Sequence, residues 1–516
     1  MRLPVRMALA AVLGGIAVLG MAPFNLWPLM LAALAAFFWL ADGALAAARP
    51  VRAAAWTGWA FGFGYYAGGL YWVAEAFYVD PATVWMMPFA MALLPSGMAL
   101  FPALATGVAA IFGRRGAAFA LILTAVFASV EYLRSFIFTG FPWNLFGAAF
   151  VDTPIAQGAA LIGLYGLTFA AMLAAFSLPP LIRERGAFRF VPFAAALALL
   201  GGAFAFGTLR PPPELGGELP RLRVVQPDNP QSDKAKPGYL QRLWQRLVTL
   251  TFADGAADID VFVWPEGVIA FLDETPEALA AIAERMRPGQ VLLAGSARRE
   301  LTDEGGTHYY NALLAIDSGG RVLATYDKAH LVPFGEYLPF PEAFRALGIA
   351  SLTARIGGAF TAGPGLRTLS LAGLPPFGAL VCYEVLFPSE VVAPGARPRW
   401  LVNVTDDSWF GTQTGPHQHL TAARFRAIEE GLPLIRSATT GISAVIDAQG
   451  NLDATIGLQT SGFVDRVLPA AYAETVFARF GHISLFAMIV LALATGLVHR
   501  RPSATFSTQV STNSEK

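Results

Sequence analysis

The sequence has little cysteine and little charge. Cys382 is the only cysteine among 516 residues, so no disulfide can form within the chain. Only 14% of the residues are charged, with 36 basic and 36 acidic side chains that cancel to a formal net charge of zero. Without a basic excess we expect no nucleic-acid partner. Apolar residues make up 55% of the chain, which is too much for a soluble protein of this length and predicts a membrane protein.

Patterns for binding a metal or a nucleotide are also missing. Of the six histidines, His417 and His419 form a pair, but their i, i+2 spacing does not place both side chains on one helix face. No carboxylate cluster completes a ligand set, and no glycine-rich fingerprint follows a strand. We therefore expect no metal and no organic cofactor, and a structural or substrate-lining role for the histidine pair.

Residues 1–208 consist of apolar stretches near the roughly 20 residues that cross a roughly 30 Å hydrocarbon core. The first stretch could be a cleaved signal peptide, since Arg2 and Arg6 precede a short apolar region. Six further spans follow, and their orientations alternate consistently if the first stretch is kept as a membrane span. We predict seven spans in this transmembrane domain and an eighth near the C-terminus, at about 7–22, 26–41, 54–76, 83–112, 117–133, 160–181, 190–208 and 482–498.

Arginines lie in every second connection between these spans. Such connections are cytoplasmic by the positive-inside rule, so both termini are predicted to be cytoplasmic. The long insert between the seventh and eighth spans then faces outward, into the periplasm of a bacterium whose inner membrane holds the chain. The arginines that set this orientation are Arg2, Arg6, Arg49, Arg52, Arg114, Arg115, Arg183, Arg185, Arg189, Arg500 and Arg501.

A Pro/Gly linker at 209–220 marks the start of a different texture, with short strands and amphipathic helices. We predict a catalytic domain over 221–478, then the eighth transmembrane helix over 479–499 and a tail over 500–516. The mixture of hairpins and strand–helix units favours a layered α/β sandwich over a purely parallel sheet. The predicted strands are Leu222–Gln226, Val261–Trp264, Val291–Ser296, Ala312–Ile316, Val322–Tyr326, Phe377–Cys382, Trp400–Asn403 and Ala444–Ile446, and the predicted helices are about 237–253, 275–287 and 415–430.

Three reactive side chains stand at the ends of predicted strands. Cys382 ends one apolar run, Glu266 follows a second and Lys328 follows a third. Each has a simpler interpretation. An isolated cysteine is commonly a buried apolar filler, a glutamate after Pro265 can bind free N–H groups at a helix start, and a lysine after a hairpin is commonly solvated. Their similar placement favours a reactive thiol.

The chemistry of the three groups is complementary. A thiol is a poor nucleophile until a base takes its proton or a cation lowers its pKa. Glu266 in a partly desolvated pocket can serve as that base. Lys328 can favour the thiolate and, with a backbone N–H near Tyr383, stabilise an oxyanion. Glu384, two residues beyond the thiol, is predicted to support Lys328 or its loop and not to act as the base.

Three segments of the insert resemble the carbon–nitrogen hydrolase (nitrilase) superfamily. They are Trp264-Pro-Glu266, Tyr326-Asp-Lys-Ala-His-Leu-Val-Pro-Phe-Gly-Glu336 and Val381-Cys-Tyr-Glu384. The resemblance implies an αββα sandwich with Glu266, Lys328 and Cys382 as the catalytic set, and it favours Glu336 as a group that orients Lys328 over a plain loop carboxylate.

Joined to eight spans, the whole chain resembles the apolipoprotein N-acyltransferase family. Further likenesses lie at 131–143, 225–232, 403–411 and 415–427. Ala235 is a departure, because the family often has tryptophan there, and the segment 436–441 lacks a common asparagine. The implied reaction transfers a fatty acyl chain from a phospholipid, phosphatidylethanolamine by resemblance, through a thioester on Cys382. The acceptor is the α-amine of the N-terminal diacylglyceryl-cysteine of an apolipoprotein.

The stretch after Lys328 is unusually apolar for an external loop. It contains Phe334, Phe340, Phe344 and Leu347 within a Pro/Gly-hinged run. We predict a mobile arm that dips into the outer leaflet and admits lipid. The alternative is that the stretch packs on the domain's own core.

Two other functions remain open at this point. A membrane-tethered amidase or nitrilase would use the same three residues with water as the acceptor. A non-enzymatic transporter or scaffold would use the spans as its working part. Against the second, the spans contain few charges of the kind that mark ion or substrate pathways.

Overall fold

The computed structural model describes residues 1–79, 81–213, 218–234, 236–302, 305–340, 342 and 360–499. An N-terminal helical part, called the membrane part below, precedes a two-sheet α/β part. The helical part consists of α1 (Leu3–Ala17), α2 (Trp27–Ala44), α3 (Pro50–Gly69), α4 (Met87–Met98), α5 (Leu100–Ile111), α6 (Gly116–Leu133), α7 (Ala159–Arg183) and α8 (Phe190–Leu209). Proline at the first turn of α1, α2 and α3 suits a helix start, because the missing N–H has no partner there in any case.

By length and apolar composition, six stretches of the described residues could cross a membrane. They are Leu3–Gly20, Trp27–Ala44, Thr83–Ile111, Gly116–Leu133, Pro154–Arg183 and Ala187–Leu209. The predicted third span was placed too far along, since α3 ends at Gly69 and a 3-10 helix follows at Tyr71–Tyr78. A membrane crossing by α3, and one by the short apolar helix Ile483–Val498, both stay predictions.

Small residues allow α1 and α3 to touch through their backbones. A Cβ atom added at Gly14 would lie 2.0 Å from the carbonyl oxygen of Phe61, and one added at Gly64 would lie 1.9 Å from that of Ala11. Two atoms that are not bonded to each other cannot come this close, so both positions require glycine. Close backbone approach of this kind is how helices gain contact where no hydrophobic effect drives them together.

The α/β part has two six-stranded mixed sheets. The strands are β1 (Arg221–Gln226), β2 (Val261–Trp264), β3 (Val291–Leu301), β4 (Thr307–Asp317), β5 (Val322–Asp327), β6 (Thr368–Leu369), β7 (Phe377–Val381), β8 (Trp400–Thr405), β9 (Leu434–Ala438), β10 (Ser443–Ile446), β11 (Leu452–Ile456) and β12 (Gly462–Val467). One sheet has the order β12-β1-β2-β3-β4-β5 and the other the order β11-β10-β9-β8-β7-β6.

Helices cover both outer faces of the paired sheets. The inner faces share one apolar core, in which Val263 of one sheet and Val402 of the other belong to the same cluster. The helices after the first strand are α9 (Tyr239–Thr251), α10 (Pro276–Ala283), α11 (Thr414–Glu430), α12 (Val476–Phe480) and α13 (Ile483–Val498), and α13 packs into the core of the N-terminal helices through Leu485 and Ile489. Leu247 of α9 and Ile282 of α10 pack on the first sheet, and Ala423 of α11 packs on the second. The predicted αββα sandwich is confirmed.

The second face of α11 packs against the helical part, so this helix is buried on both sides. Phe425 and Ile428 belong to the apolar core of the membrane helices. Helix α7 is broken at Gly163, whose φ of 69° and ψ of 172° are not helical. The N–H of Leu164 that the break releases donates to Glu429 Oε1 of α11 at 2.7 Å. One side chain of the α/β part therefore completes a helix of the membrane part.

Candidate active site

Cys382 begins a sharp turn and does not end a strand. Strand β7 stops at Val381, and the 3-10 turn Cys382–Leu386 follows at once. The prediction of Cys382 as the last strand residue is therefore wrong by one position. The residue has φ of 51°, in the left-handed region that side chains other than glycine seldom adopt. A backbone held in this conformation at a reactive side chain is typical of functional sites.

Glu266 follows β2 at the same end of the sandwich. No helix begins there in the described chain, so the helix-start interpretation of this carboxylate is wrong. Its Oε1 accepts from Asn311 Nδ2 at 2.7 Å and its Oε2 from the backbone N–H of Asp406 at 2.6 Å. Burial raises the pKa of Glu266, Lys328 lowers it, and the net direction is upward.

Lys328 follows β5 and is 1% exposed, so the solvated interpretation is wrong as well. Its Nζ lies 2.9 Å from Glu336 and 3.8 Å from Glu266 Oε1. Burial alone lowers the pKa of Lys328, but the two carboxylates outweigh it, and the pKa lies above its ordinary value. The lysine is thus a fixed buried cation between two acids.

Asn311 is a site residue that the sequence analysis missed. Its Nδ2 donates to Glu266 Oε1 at 2.7 Å and to Glu336 Oε1 at 2.8 Å. The two carboxylates are held side by side in this way, with Lys328 between them. Asn311 directly precedes the predicted strand Ala312–Ile316 and lies within β4, but it bears no charge, and nothing in the sequence around it distinguishes it from an ordinary polar strand residue.

Glu266 and Lys328 both shift the pKa of the Cys382 thiol. Burial raises its pKa well above the ordinary value, Glu266 adds to the rise, and Lys328 opposes it. Lys328 does lower the pKa of Cys382, as expected, but burial and Glu266 raise it by more, so the net shift of the pKa is upward. The resting group is therefore a neutral thiol, and attack on a substrate requires transfer of its proton to a base.

Glu384 joins the turn of the thiol to the loop of the lysine. Its Oε2 accepts from Val381 N at 2.7 Å, and its Oε1 accepts from Ala329 N at 2.8 Å, His330 N at 3.1 Å and Tyr326 Oη at 2.8 Å. With four donors bound, this carboxylate ties two active-site segments together.

Two contacts tie the same segments to the membrane part. Tyr383 donates its hydroxyl to the carbonyl oxygen of Gly140 at 2.7 Å. The ring Nε2 of His330 lies 2.7 Å from the carbonyl oxygen of Thr139. Both acceptors belong to the loop between α6 and α7. The turn of the thiol and the loop of the lysine therefore rest on one segment of the membrane part.

A second group of buried polar residues lies behind the turn. His419 Nε2 is 3.3 Å from the carbonyl oxygen of Cys382, and its Nδ1 is 2.9 Å from Asp407 Oδ1. Asp407 accepts from Arg436 Nη2 at 2.6 Å. His417, by contrast, is only half-buried, and among the described residues no hydrogen bond joins its ring to another group. The two histidines therefore have different surroundings, and only His419 reaches the site.

Part of the predicted lipid arm is visible at the membrane side of the site. Phe334 is 55% exposed and Phe340 is 60% exposed. Phe340 makes an edge contact with the exposed Phe138 of the membrane part, at 6.0 Å between ring centroids. Neither phenylalanine packs in the core of its own domain. Phe344, Leu347 and Ala235 lie outside the described residues.

The arrangement suits acyl transfer through a covalent thioester. A buried carboxylate with a raised pKa can take the thiol proton, and a fixed ammonium can stabilise the negative oxygen that forms on attack. In the described part of the chain, no group of three or more His, Cys, Asp or Glu side chains could hold a metal ion.

Both parts of the chain match known families. Residues 13–177 match the apolipoprotein N-acyltransferase N-terminal domain, and residues 221–476 match the carbon–nitrogen hydrolase family. Among solved structures, an amidase from Nesterenkonia sp. is similar at 19% identity and a TM-score of 0.35, over 53% of this chain and 97% of that one.

Curated relatives match along almost the whole chain. A protein of Rhodopseudomonas palustris named apolipoprotein N-acyltransferase is 39% identical over 515 residues, which cover 96% of each chain. One of the same name from Bradyrhizobium diazoefficiens is 41% identical over 515 residues, which cover 96% of this chain and 95% of the relative. The similarity therefore includes the membrane part and the α/β part together.

Proposed function

The chain belongs to the apolipoprotein N-acyltransferase family, and from that premise we propose how it carries out lipoprotein N-acylation. A fatty acyl chain passes from a phospholipid to a thioester on Cys382, and from there to the α-amine of the N-terminal diacylglyceryl-cysteine of an apolipoprotein. The observation that supports this most is the meeting of Glu266, Lys328 and Cys382 at strand ends beside the membrane loop that holds Gly140.

The first half-reaction forms the thioester. Glu266 takes the proton of the Cys382 thiol while the sulfur attacks the carbonyl carbon of a phospholipid ester. The oxyanion is stabilised by Lys328 and by a backbone N–H near Tyr383. The ester C–O bond then breaks, Glu266 returns the proton to the departing oxygen, and a lysophospholipid leaves.

The second half-reaction forms the amide. The α-amine of the acceptor attacks the thioester carbon and gives a proton to Glu266. The C–S bond breaks, and the thiolate of Cys382 takes the proton back. Water must stay out between the two halves, because hydrolysis of the thioester would waste the acyl group. Phosphatidylethanolamine is the donor we propose.

The charges around Lys328 support its role as a fixed cation. Glu336 lies 2.9 Å from its ammonium group, and Asn311 keeps Glu336 beside Glu266. An ammonium group held in place costs no reorganisation when negative charge develops on the substrate. Glu336 and Glu384 act as positioning residues, the first through Lys328 and the second through the loop that follows it.

We place the site on the outer face of the bacterial inner membrane, with both termini in the cytoplasm. This follows from the arginine-bearing connections, which are cytoplasmic by the positive-inside rule. We also propose that Phe334 and Phe340 lead lipid to the thiol, since both are exposed and Phe340 contacts Phe138 of the membrane part.

The test of the reaction is the mass of the intact protein after incubation with phosphatidylethanolamine and no acceptor. The wild type should gain one fatty acyl group, and addition of a diacylglyceryl-cysteine peptide should remove it as an amide. Cys382→Ala should show neither event, and Cys382→Ser should be nearly as inactive, because a hydroxyl is far harder to ionise. N-acylation by folded Cys382→Ala protein would exclude the thioester.

The role of the exposed aromatics has its own test. Replacing Phe334 and Phe340 together by serine should raise the KM for phospholipid or slow thioester formation without a comparable loss of thermal stability. If the two phenylalanines packed in a core, the double variant would lose stability instead, since a large-to-small change in a core costs about 2–5 kcal/mol. A double variant that unfolds readily yet loads lipid at the normal rate would show that lipid enters elsewhere.

A further inference from the structure

The backbone at Cys382 is in a strained conformation that a neighbouring group must hold. A φ of 51° at a residue with a side chain is unfavourable and persists only where its surroundings determine it. The turn also sets where the thiol and the following backbone N–H groups point. Any group that binds the carbonyl oxygen of Cys382 therefore acts on the direction of the nucleophile.

Two side chains reach that carbonyl oxygen. Asn403 Nδ2 is 3.5 Å away, at the limit of a hydrogen bond, and His419 Nε2 is 3.3 Å away. Since a carbonyl oxygen only accepts, Nε2 must carry a hydrogen. Burial and the neighbouring Arg436 lower the pKa of His419, which favours the neutral ring with its hydrogen on Nε2. Nδ1 is then free to accept from Arg436 Nη2 at 3.0 Å.

The ring of His419 cannot easily turn, because it is fixed on three sides. Arg436 donates to its Nδ1 and is itself held by Asp407, and all three side chains are fully buried. Trp143 of the membrane part stacks on the ring at 5.9 Å between centroids, with 28° between the planes. The indole of Trp143 is itself held, since its N–H donates to Gln418 Oε1 at 2.6 Å.

We propose that His419 is a positioning residue for the nucleophile. Its Nε2–H holds the carbonyl oxygen of Cys382 and so keeps the left-handed turn that aims the thiol. Arg436, itself bound by Asp407, holds the ring, and Trp143 connects this arrangement to the membrane part. The inference rests on the proposed function in one respect, namely that Cys382 is the nucleophile.

Two amide variants separate this role from simple packing. Glutamine at position 419 places its amide nitrogen near the ring Nε2, whereas asparagine ends near Nδ1. His419→Gln should therefore keep the donor to Cys382 and most of the rate. His419→Asn should lose that donor and form the thioester about 100-fold more slowly, with an unchanged KM for phospholipid, as small misplacements of reacting groups do. His417→Asn is the matched control and should behave as the wild type.

Each variant is measured as the full-length protein in phospholipid nanodiscs, by single-turnover acylation and by the rate of alkylation with iodoacetamide, which needs no lipid. If the wild type forms no lipid adduct but alkylation still separates the two amide variants, the proposed function fails and the positioning role stands. Equal rates for His419→Asn and the wild type in both assays would overturn the positioning role. So would equal losses in the two amide variants.

If His419→Asn does not fold, His419→Phe takes its place, because phenylalanine keeps the contact with Trp143 and has no donor. Loss of alkylation in folded His419→Phe protein, with His419→Gln active, supports the proposal. Normal alkylation of His419→Phe overturns it.

Discussion

Glu336 offers the sharpest test of how the charges at the site work together. Glu336→Gln removes one negative charge and changes little else in shape. The carboxylate accepts from Lys328 Nζ at 2.9 Å, from Asn311 Nδ2 at 2.8 Å and from Val332 N at 2.8 Å. An amide has one acceptor oxygen, so if Lys328 and Asn311 keep it, the new NH2 group faces the N–H of Val332.

The size of the effect follows from these contacts. A hydrogen bond to a charged group contributes about 1.5–3 kcal/mol and a neutral one about 0.5–1.5 kcal/mol, so the bond to Lys328 weakens by about 1 kcal/mol or more. The ammonium group of Lys328 is then free to move towards Glu266, now 3.8 Å away. Misplaced oxyanion stabilisation and a weaker base together should slow thioester formation about 10- to 100-fold.

The pH dependence of the variant has a defined direction. Thioester formation needs ionised Glu266, so its acid limb follows the pKa of that carboxyl in the folded protein. The charge of Glu336 is among the groups that raise this pKa, after burial and against the opposing effect of Lys328. Glu336→Gln should therefore shift the acid limb to lower pH, while the maximal rate falls.

The assay is single-turnover acylation of Cys382 by intact mass, across a range of pH. Glu300→Gln is the matched control, since Glu300 is an exposed carboxylate of β3 that pairs with Arg298 and makes no contact with Lys328 among the described ion pairs. Loading at the wild-type rate with an unshifted acid limb would show that Glu336 does not position the lysine. A shift to higher pH would contradict the assigned electrostatics.

Three further predictions concern topology, stability and the bridging amide. A cysteine introduced at Ser318 in a Cys382→Ala background should react with a membrane-impermeant maleimide in spheroplasts and one at Gly186 should not; reversed labelling would place the site in the cytoplasm. Burial raises the pKa of Glu429 to about 7 although Arg426 opposes it, so stability from this group is present below its unfolded pKa and lost as pH rises through 7. Glu429→Gln should flatten that fall in a pH series of thermal unfolding, and an unchanged slope would refute the shift. Asn311→Asp, which keeps the shape but places a third carboxylate at the lysine, should slow thioester formation about 100-fold, and a normal rate would show that the bridge is dispensable.

Local patterns were sufficient to predict most of the sandwich. Apolar runs with β-branched residues located β2 and β5. Strand β9 was missed because Arg436 and Ser437 interrupt its pattern, although both side chains are fully buried. Burial of such a strand depends on partners far along the chain, which a local window does not contain.

Only those site residues could be predicted whose charged or reactive side chains follow directly on an apolar run. Glu266, Lys328 and Cys382 follow apolar runs, the first two in one sheet and the third in the other, and packing of the two sheets brings these ends together. Asn311 could not be identified, because its function comes from two carboxylates on other segments. The direction of the pKa shift of Cys382 could not be predicted either, since it depends on the balance between burial and one opposing lysine.

The hydrogen bond from Leu164 to Glu429 has a consequence for the order in which the molecule is assembled. Helix α7 is synthesised before α11, so its broken turn is made while its partner does not yet exist. An amide without a partner at the edge of a bilayer is costly, and until α11 arrives water or a lipid headgroup must serve it. Docking of the α/β part then displaces that temporary partner and closes the turn. Biogenesis of this enzyme should therefore end with a step that joins completion of a membrane helix to completion of the active site.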